Sequence, residues 1–280
     1  MKKADLIPKL DEWILEQRYQ EYATSTLNQY RANVKKFIDW LPDDEEITKD
    51  TTMKYKLYLG DIAGSTNSIN VWIVELNKFL KWLGLKDCTV KKIKMQSKQS
   101  NEEVLSISDY RRLLRFAKKE GKHQLYYIMK ILAMTGIRIS ELRYFKVENL
   151  KTNYIDVFNK GKERTIIVRQ DLMRELKRYA KQQGITEGYL FQSTVVDGKM
   201  VNESTLWRQM KNIAGNAKVK KNKVHAHSFR HLFAQVFLTE YSDNISELAD
   251  ILGHNSLETT RLYVRTSDEQ KRAKIERLNF

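Results

Sequence analysis

One cysteine and two prolines are all the chain has of either residue in 280 positions. Cys88 has no partner for a disulfide within the chain, and a zinc site built from cysteines is excluded. Beyond Pro42 no proline interrupts the long stretches of helical periodicity. No run approaches the roughly 20 apolar residues that a bilayer-spanning helix requires. The opening MKKADLIPKLDEW is basic with no apolar run behind it and does not read as a signal peptide. These absences predict a soluble, cytoplasmic protein with no membrane partner. Internal repeats and low-complexity tracts are also missing.

Positive charge is abundant: 50 Lys+Arg against 35 Asp+Glu, a net charge of +15. A surplus of this size makes a polyanion the default partner, and nucleic acid the commonest one. The competing reading is a basic surface that serves only solubility. With 41% hydrophobic and 10% aromatic residues, the chain can fill one large core or two ordinary ones.

The first part reads as a bundle of about four helices. TLNQYRANVKKFIDWL puts Leu27, Tyr30, Val34, Phe37 and Leu41 on one face at three- and four-residue steps, with Thr24, Ser25 or Thr26 able to cap its start. STNSINVWIVELNKFLKWLGL repeats the pattern and ends near Gly84. DCTVKKIKMQSKQSNEEVLS then loses all period, which predicts a basic linker over residues 88–104. Its lysines suit a phosphate backbone, and a solvated linker would look the same. SISDYRRLLRFAKKEG carries helix signals at both ends, and LYYIMKILAMTG continues as an apolar helix. In YIDVFNKGKERTIIV, two β-rich runs flank Asn159-Lys160-Gly161-Lys162 and predict a hairpin. The expected fold is mainly α with a small antiparallel sheet: a helical domain over residues 1–87, the linker, and an α+β domain over residues 105–280.

Three stretches can carry chemistry. In TGIRISEL, Gly136 breaks a helix and Glu141 lies one turn from Arg138, which alone reads as a surface ion pair. In HAHSFRHLFA, His227 and Arg230 share a helix face among Phe229, Leu232 and Phe233, so Arg230 requires an anionic partner or a bound anion. His225, His227 and His231 raise a zinc site, but the glutamate of an H-E-x-x-H motif and any following carboxylate ligand are missing. In LGHNSLETTRLYV, His254 follows Gly253, and Tyr263 comes nine residues later. Together they suit phosphodiester chemistry. Two arginines can hold the non-bridging oxygens. A tyrosine hydroxyl, with pKa near 10, can attack phosphorus if a base assists. Histidines can move protons and hydrogen-bond the developing charge, and a lysine on a hairpin can protonate the leaving oxygen.

In order and spacing, Arg138 in TGIRISEL, His227-x-x-Arg230, and Leu252-Gly253-His254 followed by Tyr263 resemble the tyrosine recombinase (phage integrase) family. Each motif alone is weak, and their ordered conjunction is specific. The resemblance covers nearly the whole chain, with a short helical, SAM-like core-binding domain ahead of the catalytic one as in Xer-type recombinases, and no extra arm-DNA-binding domain. It implies that Arg138 and Arg230 bind phosphate, His227 is the general acid/base, His254 hydrogen-bonds phosphate, Glu141 supports the site and Tyr263 is the nucleophile. The family's lysine at a hairpin tip falls on Lys160, with Lys162 as the alternative. Ala226 stands where the family often has proline, and so does the stretch Ile166-Ile167-Val168; neither touches the chemistry. The implied activity is site-specific recombination of double-stranded DNA through a 3′-phosphotyrosyl intermediate, without cofactor or metal. The implied assembly is a homo-tetramer on two sites, with RTSDEQKRAKIERLNF available to dock on a neighbour. Two other readings remain: a DNA-binding protein with an idle site, and a nuclease, which would need clustered carboxylates to hold metal ions.

Overall fold

The computed structural model describes residues 3–94, 104–159, 162–196, 198–242 and 244–254, together with Leu257, Thr260 and Glu276. Lys160, Tyr263 and nearly all of the C-terminal tail lie outside the described residues. The chain divides into two compact units, Met1–Asn101 and Glu102–Phe280.

The first unit is built on four helices, α1 (Lys3–Tyr19), α2 (Thr24–Trp40), α3 (Lys49–Ile62) and α4 (Thr66–Trp82). The predicted stripe Leu27, Tyr30, Val34, Phe37 and Leu41 is buried, against Leu10 and Trp13 of α1 and Ile73, Leu76 and Phe79 of α4. Trp13 stacks on Tyr30 with ring centroids 5.4 Å apart. None of the three expected hydroxyls caps α2. Its cap is Ala23, without a side-chain bond, because Thr24–Thr26 already lie inside the helix and a hydroxyl caps only from the flanking position. Thr48 and Ser65 do hold that position, and they cap α3 and α4.

Residues 88–94, expected in the linker, are instead strapped to this unit. The carboxamide of Asn77 donates to the Val90 carbonyl at 2.7 Å and accepts from its N–H at 3.0 Å. Asn70 makes the same pair with Ile93, at 3.0 and 2.8 Å. The hydroxyl of Thr52 donates to the Cys88 carbonyl at 2.6 Å. Side-chain amides replace a neighbouring strand here, so the backbone is satisfied without any period in the sequence.

In the second unit, α5 (Ile107–Lys119) and α6 (His123–Thr135) lead through 3-10 turns at Ile139–Tyr144 and Val147–Lys151 to β1 (Tyr154–Asn159) and β2 (Lys162–Ile167). Then come α7 (Gln170–Gln182), α8 (Glu203–Asn216), α9 (Ala226–Glu240) and α10 (Ile245–Leu252). The strands pair antiparallel from Tyr154↔Ile167 to Asn159↔Lys162. Ile155, Val157 and Ile166 face the core, while Phe158 and Ile167 are exposed. That core gathers around Ile128, Met129, Ile131 and Leu132 of α6. A smaller cluster of Ala234, Leu248 and Leu252, with Phe233 and Phe237 against it, fastens α10 to α9. Among the described residues, no helix is long and apolar enough to cross a membrane.

Candidate active site

Two helix ends meet at the site. The first is the end of α6, where Gly136 closes the helix in the left-handed region at φ 63°. A Cβ there would come within 2.6 Å of the Phe233 ring and 2.7 Å of Leu252, so only glycine allows the approach. Arg138 follows, and its backbone N–H donates to Glu141 Oε2 at 2.8 Å. The Glu141 side chain is 1% exposed, and it also accepts from Arg164 Nη2 at 2.6 Å. Burial alone would raise its pKa, but the Arg138 N–H and the Arg164 charge outweigh burial and hold the carboxyl below the usual range.

The second is the end of α10. The N–H of His254 returns to the Ala249 carbonyl at 2.9 Å and that of Gly253 to Asp250 at 3.0 Å, with Gly253 left-handed at φ 64°. This is a Schellman turn, and it leaves the carbonyls of residues 251, 252 and 253 to other donors. Each takes a different arginine. Arg164 Nη1 donates to Ile251, Arg230 Nη2 to Leu252 at 2.7 Å, and Arg138 Nη2 to Gly253 at 3.3 Å. Arg230 also donates from Nη1 to the Gly136 carbonyl at 2.7 Å, so it joins the two helix ends. Of the anionic partner or bound anion expected for Arg230, the fold supplies two helix C-termini, where aligned peptide dipoles carry partial negative charge. This arginine is 1% exposed, whereas 42% of the Arg138 side chain is accessible.

Four of the histidines lie in the same region. His225 caps α9, with its Nδ1 accepting from the Ser228 N–H at 3.2 Å. His227 and His231 meet edge to face, with centroids 4.8 Å apart. His254 Nδ1 lies 2.7 Å from the hydroxyl of buried Thr260. Burial, then the charges of Arg230, Arg138, His227 and Arg164, pushes its pKa down to about 4. Burial and the neighbouring His227, His225 and Arg230 do the same for His231, also to about 4. Both rings are thus neutral near pH 7 and able to donate one N–H each.

Among the predicted residues, Arg138, Glu141, Arg230 and His254 come together at this double helix end, with His227 close enough to act on His254 electrostatically. Lys160 and Tyr263 lie outside the described residues. Sequence reasoning missed Arg164 and Thr260, and weighed His231 only as a zinc ligand. Strand alternation was the available signal for Arg164, since it shares a face of β2 with inward-pointing Ile166. Among the described residues, no three or more His, Cys, Asp or Glu side chains are grouped to hold a metal ion.

The sequence matches the phage integrase family over residues 103–270. The chain belongs to the phage integrase family. As a family member it is similar to the tyrosine recombinase XerA of Pyrococcus furiosus, at 26% identity over 276 residues, covering 97% of this chain and 94% of that protein. Its fold resembles that of a lambda integrase dimer bound to a core site, with TM-score 0.75 and 18% identity over 93% of this chain and 97% of that one. A lambda integrase tetramer bound to a Holliday junction also matches, with TM-score 0.72 and 19% identity over 90% and 77% of the two chains. In this tyrosine recombinase the matched residues, 103–270, include both helix ends described above.

Proposed function

We propose that this site-specific DNA recombinase cleaves and rejoins double-stranded DNA with Tyr263 as nucleophile. Arg138 and Arg230 bind the non-bridging oxygens of the scissile phosphate, and His254 donates a hydrogen bond to one of them. The Tyr263 oxygen attacks phosphorus, and its proton passes to His227. The bond from phosphorus to the 5′ oxygen breaks, and Lys160 protonates that oxygen, leaving a 3′-phosphotyrosyl link and a 5′ hydroxyl. A 5′ hydroxyl from a partner duplex then attacks the same phosphorus and gives its proton to Lys160, and Tyr263 leaves as His227 returns the proton to its oxygen. One phosphodiester is exchanged for another through a phosphotyrosyl diester that conserves the ester linkage, so the balance calls for no nucleotide and no redox partner.

The observation that carries this reading is the convergence of Arg138, Arg230 and His254 on one turn, at the carbonyls of Leu252 and Gly253. A guanidinium already fixed by protein acceptors needs little reorganisation when charge develops on the phosphate. Glu141 supports the site by holding the Arg138 backbone. Four protomers would assemble on two DNA sites in the cytoplasm, with the tail after Tyr263 docking on a neighbour.

The test is covalent adduct formation on a nicked duplex in EDTA, using a site that the chain itself selects from a random-sequence pool. Wild type should trap a protein–DNA adduct. Tyr263→Phe should trap none while binding the duplex with nearly unchanged affinity, since phosphate contacts dominate binding. Adduct from the Phe variant would move the nucleophile elsewhere. Dependence on added divalent metal would favour a nuclease, and binding without any adduct would favour an idle site.

A further inference from the structure

Arg164 is the third arginine on the end of α10, and the chemistry above gives it no task. Its side chain is 17% exposed, far less than that of Arg138. Its guanidinium is committed to protein acceptors, Glu141 through Nη2 and the Ile251 carbonyl through Nη1. Its Nε is buried and has no hydrogen-bond partner among the described residues. A buried N–H without a partner is costly, so stability alone does not favour an arginine here. The turn is also shaped around this side chain. A Cβ on Gly253 would lie 2.7 Å from Arg164 Cδ and 3.0 Å from its Nε.

The position of Arg164 on β2 makes this contact consequential. It pairs with Val157, two places along the strand from Lys162, which forms the last pair of the ladder. One side chain therefore joins three parts: the lysine-bearing hairpin, the carboxylate that holds Arg138, and the turn that presents His254. We propose that Arg164 is a positioning residue for strand cleavage, fixing the hairpin against the phosphate-binding turn without touching the phosphate. This rests on the functional reading above. A guanidinium suits the task because its fork reaches two acceptors in fixed directions, which an ammonium cannot do.

The experiment compares Arg164→Gln and Arg164→Lys with wild type in single-turnover adduct formation on the selected nicked duplex. The duplex is made with oxygen or with sulfur at the bridging 5′ position. Duplex affinity should stay within about threefold of wild type, because Arg164 makes no phosphate contact in this proposal. The rate on the oxygen substrate should fall about 100-fold for Gln, the scale of a small misplacement of reacting groups, and about tenfold for Lys. Sulfur should recover much of both losses, since a thiolate leaves without the proton that a misplaced lysine fails to deliver. A residue that only stabilises the fold would slow both substrates equally. Rates within threefold of wild type, or a sulfur-to-oxygen ratio unchanged from wild type, overturn the proposal. If Arg164→Gln does not fold, the ratio for Arg164→Lys decides. Wild-type adduct that depends on Tyr263, together with unaltered Arg164 variants, sinks this inference alone. Absence of wild-type adduct overturns the functional reading and this inference with it.

Discussion

Arg138 and Arg230 carry the same charge in different settings, and their alanine variants should separate accordingly. On the proposed mechanism each variant removes a preorganised donor to a crowded phosphate, worth about 3 kcal/mol or more of transition-state stabilisation. Both should therefore lose several orders of magnitude in adduct formation. Their stabilities should differ. Arg230→Ala strands the buried carbonyls of Gly136 and Leu252, which costs about 1–3 kcal/mol for each acceptor left unpaired and should lower Tm by several degrees. Arg138→Ala removes a partly exposed side chain, and its Tm should stay within ~1 °C. Equal Tm losses would mean that Arg230 is not the joint between the helix ends. The same contrast shows what was legible in sequence. Both arginines stood out because each follows a short break or opens an apolar helix. Their depth did not, since an arginine expected to seek an anion found main-chain carbonyls from two helices distant in sequence. Arg164 was overlooked because an arginine in a hairpin strand ordinarily points to water, although alternation puts it on the same face as buried Ile166.

Among the elements, helix ends and the hairpin do most of the positioning. Gly121 and Gly136 both end helices with positive φ, 66° and 63°. A Cβ on Gly121 meets nothing within 4 Å, whereas one on Gly136 strikes Phe233 and Leu252. Gly121→Ala should thus cost only the left-handed penalty, about 1–2 kcal/mol. Gly136→Ala should cost about 1–3 kcal/mol more through overpacking, and should also impair cleavage by pushing the ends of α6 and α10 apart. Equal unfolding free energies for the two variants would count against that packing. The hairpin gives a second test. If Lys160 protonates the leaving 5′ oxygen, Lys160→Ala should slow a normal phosphodiester greatly and a bridging-sulfur substrate much less. Sulfur rescue of Lys162→Ala alone would transfer the role to Lys162. Rescue of neither, with both impaired, would leave the hairpin as a DNA-holding element. Element boundaries followed the sequence where period was strong, as for α4 and the hairpin. The segment at residues 88–94 was opaque because asparagines on α4 satisfy its backbone, and no local pattern signals a partner supplied by another helix.

At the scale of the whole chain, acid sensitivity should be divided between the two units. All five histidines, His123, His225, His227, His231 and His254, belong to the second unit, and four of the five tryptophans, Trp13, Trp40, Trp72 and Trp82, to the first. His231 and His254 are held near pKa 4 in the fold against about 6.5 in an unfolded chain. Below pH 6.5 the unfolded second unit takes up protons that its folded form refuses, so its stability falls as pH drops toward 4 and is retained above 6.5. The loss is at most about 1.4 kcal/mol per histidine per pH unit, less for the partial exposure of both rings. Between pH 7 and pH 5 most carboxylates stay charged, so the first unit lacks any comparable term. Urea unfolding followed by tryptophan fluorescence, which reports mainly the first unit, should keep its midpoint over that range. The far-UV circular dichroism of the helices of both units should develop an earlier phase as pH falls. His254→Asn should remove about half of that pH dependence. A fluorescence midpoint that moves in step with the circular dichroism would show that acid stability is shared between the units rather than confined to the catalytic one.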